Sequence, residues 1–166
     1  MIRAAESIGV DTKVLNAVEA RNQEQKTLLF QKIQRHFGGE LRGKTVALWG
    51  LSFKPNTDDM REAPSRVLME ALWRAGAKVQ AYDPEAMEEA QRIYGERDDF
   101  VLSGTKEAAL KGADVLAIVT EWQCFRAPDF ELIREKLSEP TIFDGRNLYE
   151  PQRMKIKGFN YCGIGR

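Results

Sequence analysis

From residue 44 onward, short apolar runs alternate with segments whose apolar residues recur at helical spacing. Residues 46–49 (VALW) and 114–120 (DVLAIVT) are almost continuously apolar, as expected of strands covered on both faces, which places them centrally in a sheet. Residues 78–82, 100–102, 141–144 and 159–164 read as further strands. Between them the pattern changes to helix. Residues 64–75 open on Pro64 and stop at Gly76, with Val67, Leu68, Ala71 and Leu72 turned to the sheet. Residues 85–94, 105–111 and 128–137 are the other helical segments. Strand and helix in alternation predict an α/β fold: a Rossmann-like, doubly wound parallel sheet with helices on both faces.

A different pattern precedes the sheet. Asp11 is a suitable N-cap ahead of Val14, and nothing need stop the helix before Gly38 and Gly39, giving about 26 residues and about 39 Å. Val14, Leu15 and Val18 form one apolar patch, and Leu28, Leu29, Ile33 and Phe37 form another. The stretch between them is polar, with Asn22 and Gln25 on roughly one side. Such a helix suits a connector between domains or an arm in a dimer; an ordinary helix covering the sheet edge fits the pattern equally well. Residues 2–8 also read as helix but have no cap of their own, like the end of something larger. The expected division is 1–39, the end of a preceding region plus the long helix, and 40–166, the α/β domain.

Charge narrows the partners. The 25 Lys and Arg balance 25 Asp and Glu, so no global field attracts nucleic acid or an anionic membrane, and any anion site must be local. No apolar run approaches the roughly 20 residues of a membrane span, and the first residues lack a signal-peptide core; a cytoplasmic protein is expected. Cys124 and Cys162 are too few and too far apart for a disulfide framework or metal knuckle, and read as two reduced, buried thiols.

Candidate chemistry gathers in residues 50–65 (GLSFKPNTDDMREAPS), a strand-to-helix loop at the carboxyl end of the sheet, where open α/β sheets bind ligands. A glycine-rich G-x-G-x-x-G turn is absent. Lys54 and Arg61 stand instead among the turn formers Pro55, Asn56 and Asp58, and two cations on a shaped loop suit a diphosphate. The bland alternative is a solvated loop with Arg61 neutralised by Asp58, Asp59 or Glu62. Phe53 adds an apolar face beside Lys54. Arg146, after a strand and Gly145, should emerge at the same edge. Asp83 sits where a dinucleotide fold binds ribose, but without the glycine fingerprint it reads as a turn-stabilising residue before Pro84. Trp122 is a candidate pocket wall, and equally a core or dimer-contact residue. His36, near the end of the long helix, reads as a dipole partner of the helix terminus.

The string FKPNTDDMREAPS at 53–65, followed by YDP at 82–84, ADVLAIVTEW at 113–122 and FDGRN at 143–147, resembles the C-terminal domain of the UDP-glucose/GDP-mannose dehydrogenase family. Among its branches the wording is most similar to the UDP-glucose 6-dehydrogenases. The resemblance covers nearly the whole chain and implies the following. Phe53, Lys54 and Arg146 contact a UDP-sugar. Arg61 reaches NAD held by an N-terminal domain that this chain lacks, and the long helix packs around a homodimer axis. The full enzyme oxidises UDP-glucose twice, with two NAD, to UDP-glucuronate, a precursor for polysaccharide biosynthesis. The nucleophilic cysteine of that reaction sits in a G-G-x-C setting that neither Cys124 nor Cys162 has, so neither is assigned a catalytic role and the isolated chain is expected to be inert. Fragments of GDP-mannose or UDP-N-acetylmannosamine dehydrogenases, and a stand-alone nucleotide-binding or dimerisation module, are the competing readings.

Overall fold

A computed structural model describes residues 13–165; the expected N-cap at Asp11 and helix at 2–8 lie outside them. In chain order the elements are α1 (Lys13–His36), β1 (Thr45–Trp49), α2 (Pro64–Arg74), β2 (Lys78–Tyr82), α3 (Met87–Tyr94), β3 (Phe100–Leu102), β4 (Val115–Ile118), α4 (Phe130–Lys136), β5 (Thr141–Asp144), α5 (Pro151–Ile156) and β6 (Asn160–Gly163). Short 3-10 turns at Ala108–Leu110 and Gln123–Phe125 flank β4. The strands form one sheet in the order β3-β2-β1-β4-β5-β6, with every pairing parallel. The chain starts at the centre, winds outward one way, returns and winds out the other. The reversal lies between β1 and β4, which makes their carboxyl ends the crevice of a doubly wound fold.

The strand period of two sorts the core into two layers. Val46 and Leu48 point to the side covered by α1, α2 and α3 and pack with Leu29, Ile33, Leu68 and Leu72. Ala47 and Trp49 point to the other side, beside Ile142 of β5 and against Phe125, Ile133 and Met154 from the turns, α4 and α5. Burying a side chain such as Ile33 or Leu29 contributes about 1.5–3 kcal/mol, enough to fasten the second half of α1. That half packs on α2 and β5. His36 at its end bonds Glu139 through Nε2 at 2.8 Å and sets its ring edgewise on Phe143. His36 thus stands in the last turn of the helix, as the dipole reading expects, and has this carboxylate beyond the helix as a further partner.

Three expectations need correction. Residues 105–111 do not make an α-helix. Trp49 Nε1–H donates to the Lys106 carbonyl at 2.9 Å, Thr105 Oγ1 accepts from Ala108 N at 3.0 Å, and Leu110 N closes a tighter turn onto Glu107 O; only the 3-10 turn forms. On α2 the buried set is Ser65, Leu68, Met69 and Leu72, spaced i, i+3, i+4, i+7, with Val67 and Ala71 at its margin. The expected thiol burial also fails, because Cys124 is exposed and Cys162 half-buried. α5, a helix the apolar pattern does not announce, is set by its ends: Pro151 in the first turn and Glu150 accepting from Arg153 N at 2.7 Å.

Candidate functional site at the carboxyl edge of the sheet

Two buried aspartates shape this edge. Asp83, which follows β2, is fully buried. Its Oδ2 accepts from Leu51 N at 2.7 Å, Ser52 N at 3.1 Å, Ser52 Oγ at 3.2 Å and Trp122 Nε1 at 3.0 Å. Its Oδ1 accepts from Glu85 N and Ala86 N, both at 2.9 Å. Asp83 therefore stabilises the turn, as expected, and also moors the loop after β1 and, through Trp122, the segment after β4. Trp122 is 7% exposed and belongs to the core. Asp144, closing β5, does the same for the next loop: it accepts from Arg146 N at 3.0 Å, Leu148 N at 2.7 Å, Tyr149 N at 3.3 Å and Tyr161 Oη at 2.9 Å. Charged acceptors carrying several N–H bonds hold such loops rigidly.

The loop between β1 and α2 begins at Gly50, whose φ of +96° and close approach to Thr120 exclude a side chain. Thr120 Oγ1–H donates to Ser52 O at 2.7 Å, and Phe53 N to Asp59 O at 2.8 Å. The tip between them carries Phe53, 47% exposed, and Lys54, exposed and without a salt bridge among the described residues. Arg61 is 87% exposed at its side chain and lies bidentate on Asp59, Nε to Oδ1 at 3.0 Å and Nη2 to Oδ2 at 2.8 Å. That contact, with a further bond from Arg61 N, holds the Asp59 carboxyl down at about 2. Arg61 is thus neutralised by a neighbour here. Glu62 follows in the left-handed region at φ +57°, a conformation costly for glutamate; its carboxylate meets Lys26 of α1 at 2.8 Å.

Two of the sequence-nominated cations face hollows: Arg61 lines an open cleft of about 490 Å³ with Asp59, Glu89 and Arg92, and Arg146 borders two others. A space of about 240 Å³ lies between α1 and the sheet edge, lined among others by Gln25, Lys26, Leu29, Gly145 and Arg146. A polar cleft of about 350 Å³ on the other side of Arg146 is lined by Glu121, Arg126, Asn147 and Leu148. Phe53 and Lys54 line neither, so the structure brings Arg146 together with Gln25 and Lys26 rather than with Lys54. Glu121, which accepts from Arg146 Nε, has its carboxyl lowered chiefly by that bond. Sequence reasoning places Glu121, with Trp122, at this edge but gives it no role; it missed Asp144, Lys26 and Arg126 as parts of the edge, and of these only Asp144 lies in a singled-out string, FDGRN. Asn147 adopts φ +55° and grips the chain after β6, accepting from Ile164 N at 2.9 Å and donating to Ile164 O at 3.0 Å.

The thiols lie apart from this geometry. Partial shielding pushes the Cys124 thiol up, away from the thiolate a nucleophile needs. Cys162 sits 3.6 Å from Lys32 Nζ. Among the described residues no group of three or more His, Cys, Asp or Glu could hold a metal ion, and no helix is long and apolar enough to cross a membrane.

Comparison with known proteins places this edge in context. The UDP binding domain of the UDP-glucose/GDP-mannose dehydrogenase family matches residues 47–151. A UDP-glucose 6-dehydrogenase of Pseudomonas aeruginosa is 52% identical over 169 residues, covering 100% of this chain and 37% of its own length. One from Rhizobium meliloti is 37% identical over 166 residues with the same coverage. The solved structure of a UDP-glucose dehydrogenase from Pyrobaculum islandicum superposes with a TM-score of 0.81 at 30% identity, over 98% of this chain and 34% of that one. The chain thus spans little more than a third of the length of these relatives.

Proposed function

The chain belongs to the UDP-glucose/GDP-mannose dehydrogenase family, and from that premise we propose that its carboxyl edge grips the UDP part of a UDP-sugar for an NAD-dependent UDP-glucose 6-dehydrogenase. Residues 40–166 form the binding domain in this reading, and residues up to 39 the connecting helix and the end of a preceding region. Arg146 supplies a planar fork for a phosphate, Lys54 a point charge on the loop tip, and Phe53 an apolar face. Arg61 exchanges Asp59 for NAD presented by an N-terminal domain. α1 is the arm of a homodimer, exposing Val14 and Val18, and the enzyme works in the cytoplasm. Hydride transfer and thiol chemistry belong to that other domain. This chain contributes positioning: charged groups on loops moored by Asp83 and Asp144 hold the diphosphate while the sugar carbon meets its reactants.

The observation that carries this reading is the rigidly held Arg146 at the mouth of a cavity, within a segment matched as a UDP binding domain. Calorimetric titration of the chain with UDP and UDP-glucose tests it, beside a Lys54→Ala, Arg146→Ala double variant. Saturable binding by the wild type and loss in the variant is expected. A folded wild-type chain that binds neither ligand overturns the reading.

A further inference from the structure

Arg146 is held at two points. Its main-chain N–H donates to Asp144 at 3.0 Å, which fixes where the side chain departs. Its Nε–H donates to Glu121. β4 and β5 are neighbours in the sheet, so the residues that follow them meet. An arginine bound through Nε is fixed in the plane of its fork. The two terminal amino groups of Arg146 bond no described residue and remain for a ligand. Both partners are about one-third exposed, 33% for Arg146 and 30% for Glu121, so the pair closes one wall of the cleft while still reaching solvent. Arg126 lines the same cleft, and its charge adds to the lowering of the Glu121 carboxyl.

Resting on the reading that Arg146 grips the diphosphate, we infer that Glu121 is a positioning residue: it pins the Arg146 guanidinium by its Nε edge, so that the two terminal amino groups present a fixed bidentate fork to an anionic oxygen, with Arg126 as a flanking cation. Nothing in the bare sequence assigns this role to the glutamate of the TEW string. Two effects of opposite sign act at this residue. As an anion Glu121 repels a diphosphate; as an acceptor it prevents Arg146 from sweeping its rotamers. Arg126 beside it offsets the repulsion, which leaves orientation as the larger effect.

The side chain length and charge of Glu121 separate these effects. Glu121→Gln keeps an acceptor oxygen at the same reach and removes the charge. Glu121→Asp keeps the charge and withdraws the oxygen from Nε. In calorimetric titration with UDP, with melting curves to confirm folding, Glu121→Ala and Glu121→Asp are expected to weaken binding about tenfold, the worth of one charge-assisted hydrogen bond. Glu121→Gln is expected to stay within about threefold of wild type. Tighter binding by Glu121→Gln and Glu121→Ala makes Glu121 a mere counter-ion and overturns the inference. So does wild-type affinity in Glu121→Asp while Arg146→Ala loses binding. Wild-type affinity in Arg146→Ala overturns instead the reading on which the inference rests.

Discussion

Trp122 and Asp83 meet across the centre of the sheet, the indole N–H donating to the carboxylate at 3.0 Å. Asp83 follows β2 and Trp122 follows β4, while β1 runs between them. The bond therefore bridges over the start of the ligand-side loop, whose Leu51 and Ser52 N–H groups share the same oxygen. One carboxylate ties three consecutive strands of the sheet at the edge where the cations stand.

Removing that carboxylate should be severe. Asp83→Ala strands the N–H groups of Leu51, Ser52, Glu85 and Ala86 and the Trp122 indole in a buried setting. At about 1–3 kcal/mol per buried unsatisfied group, with partial relaxation, a loss of at least about 3 kcal/mol is expected. Asp83→Asn should fare little better, since its NH2 would face donors. Urea unfolding monitored by tryptophan fluorescence measures both.

Gly50→Ala should also destabilise. A Cβ there would lie 2.6 Å from Thr120 Cβ and Oγ1 and 2.7 Å from Thr120 N, at a φ of +96°. A cost of at least about 2 kcal/mol is expected from strain and overlap. Adding Thr120→Ala should recover only part of it, because the main-chain N contact remains. Thermal melts of the single and double variants decide.

The Asp59–Arg61 pair makes a prediction about acid. The Asp59 carboxyl is depressed from 3.8 to about 2 by Arg61. A group depressed by folding stabilises the folded form above its unfolded value and loses that contribution as pH falls toward the folded one. The effect here is therefore confined to the window from 3.8 down to about 2, and Arg61 is so exposed that solvent screens most of it. Carbon-13 titration of the Asp59 carboxyl should give a midpoint near 2 in the wild type and close to 3.8 in Arg61→Ala. Arg61→Ala should lower the melting temperature slightly above about pH 5, where the screened contribution is fully present, and the difference from wild type should vanish as pH falls to about 2.

Tyr149→Phe isolates one buried hydroxyl. The ring packs edgewise on Phe130 at 5.1 Å, and the Oη–H donates to Phe125 O at 2.6 Å. Burial, with Asp144 nearby, pushes the phenol well above its ordinary range. The variant should lose about 1–2 kcal/mol by denaturant unfolding, the cost of an orphaned carbonyl, with the fold retained.

Much of this was readable beforehand because it depends on period. The almost continuously apolar runs at 46–49 and 114–120 do contain the central strands β1 and β4, since strands covered on both faces lose their polar alternation. The long helix, β3 and β5 were equally legible. Tertiary hydrogen bonds were not. No local rule assigns the Lys106 carbonyl to Trp49, yet that bond turns an expected α-helix into a 3-10 turn. At the edge, Lys54, Arg61 and Arg146 could be named from residue type and position, and the pairing of Arg61 with Asp59 was among the local options. Which cation faces the space beside α1 was not readable. It depends on where α1 lies, and α1 is placed by Leu29 and Ile33 entering a core built from residues far along the chain.

The placement of α1 has a mechanical meaning. The described side chains from Val14 to Gln25 are exposed, and burial begins only near Lys26, so the helix is a rod gripped at one end. The ungripped length is about 20 Å at 1.5 Å per residue, and a tilt of one degree at the grip moves the far tip by about 0.3 Å. Gln25 and Lys26 lie at the fulcrum and line the cavity of Arg146. A body seated on Val14 and Val18 would bear on the free end of this rod, with the wall of that cavity at its pivot.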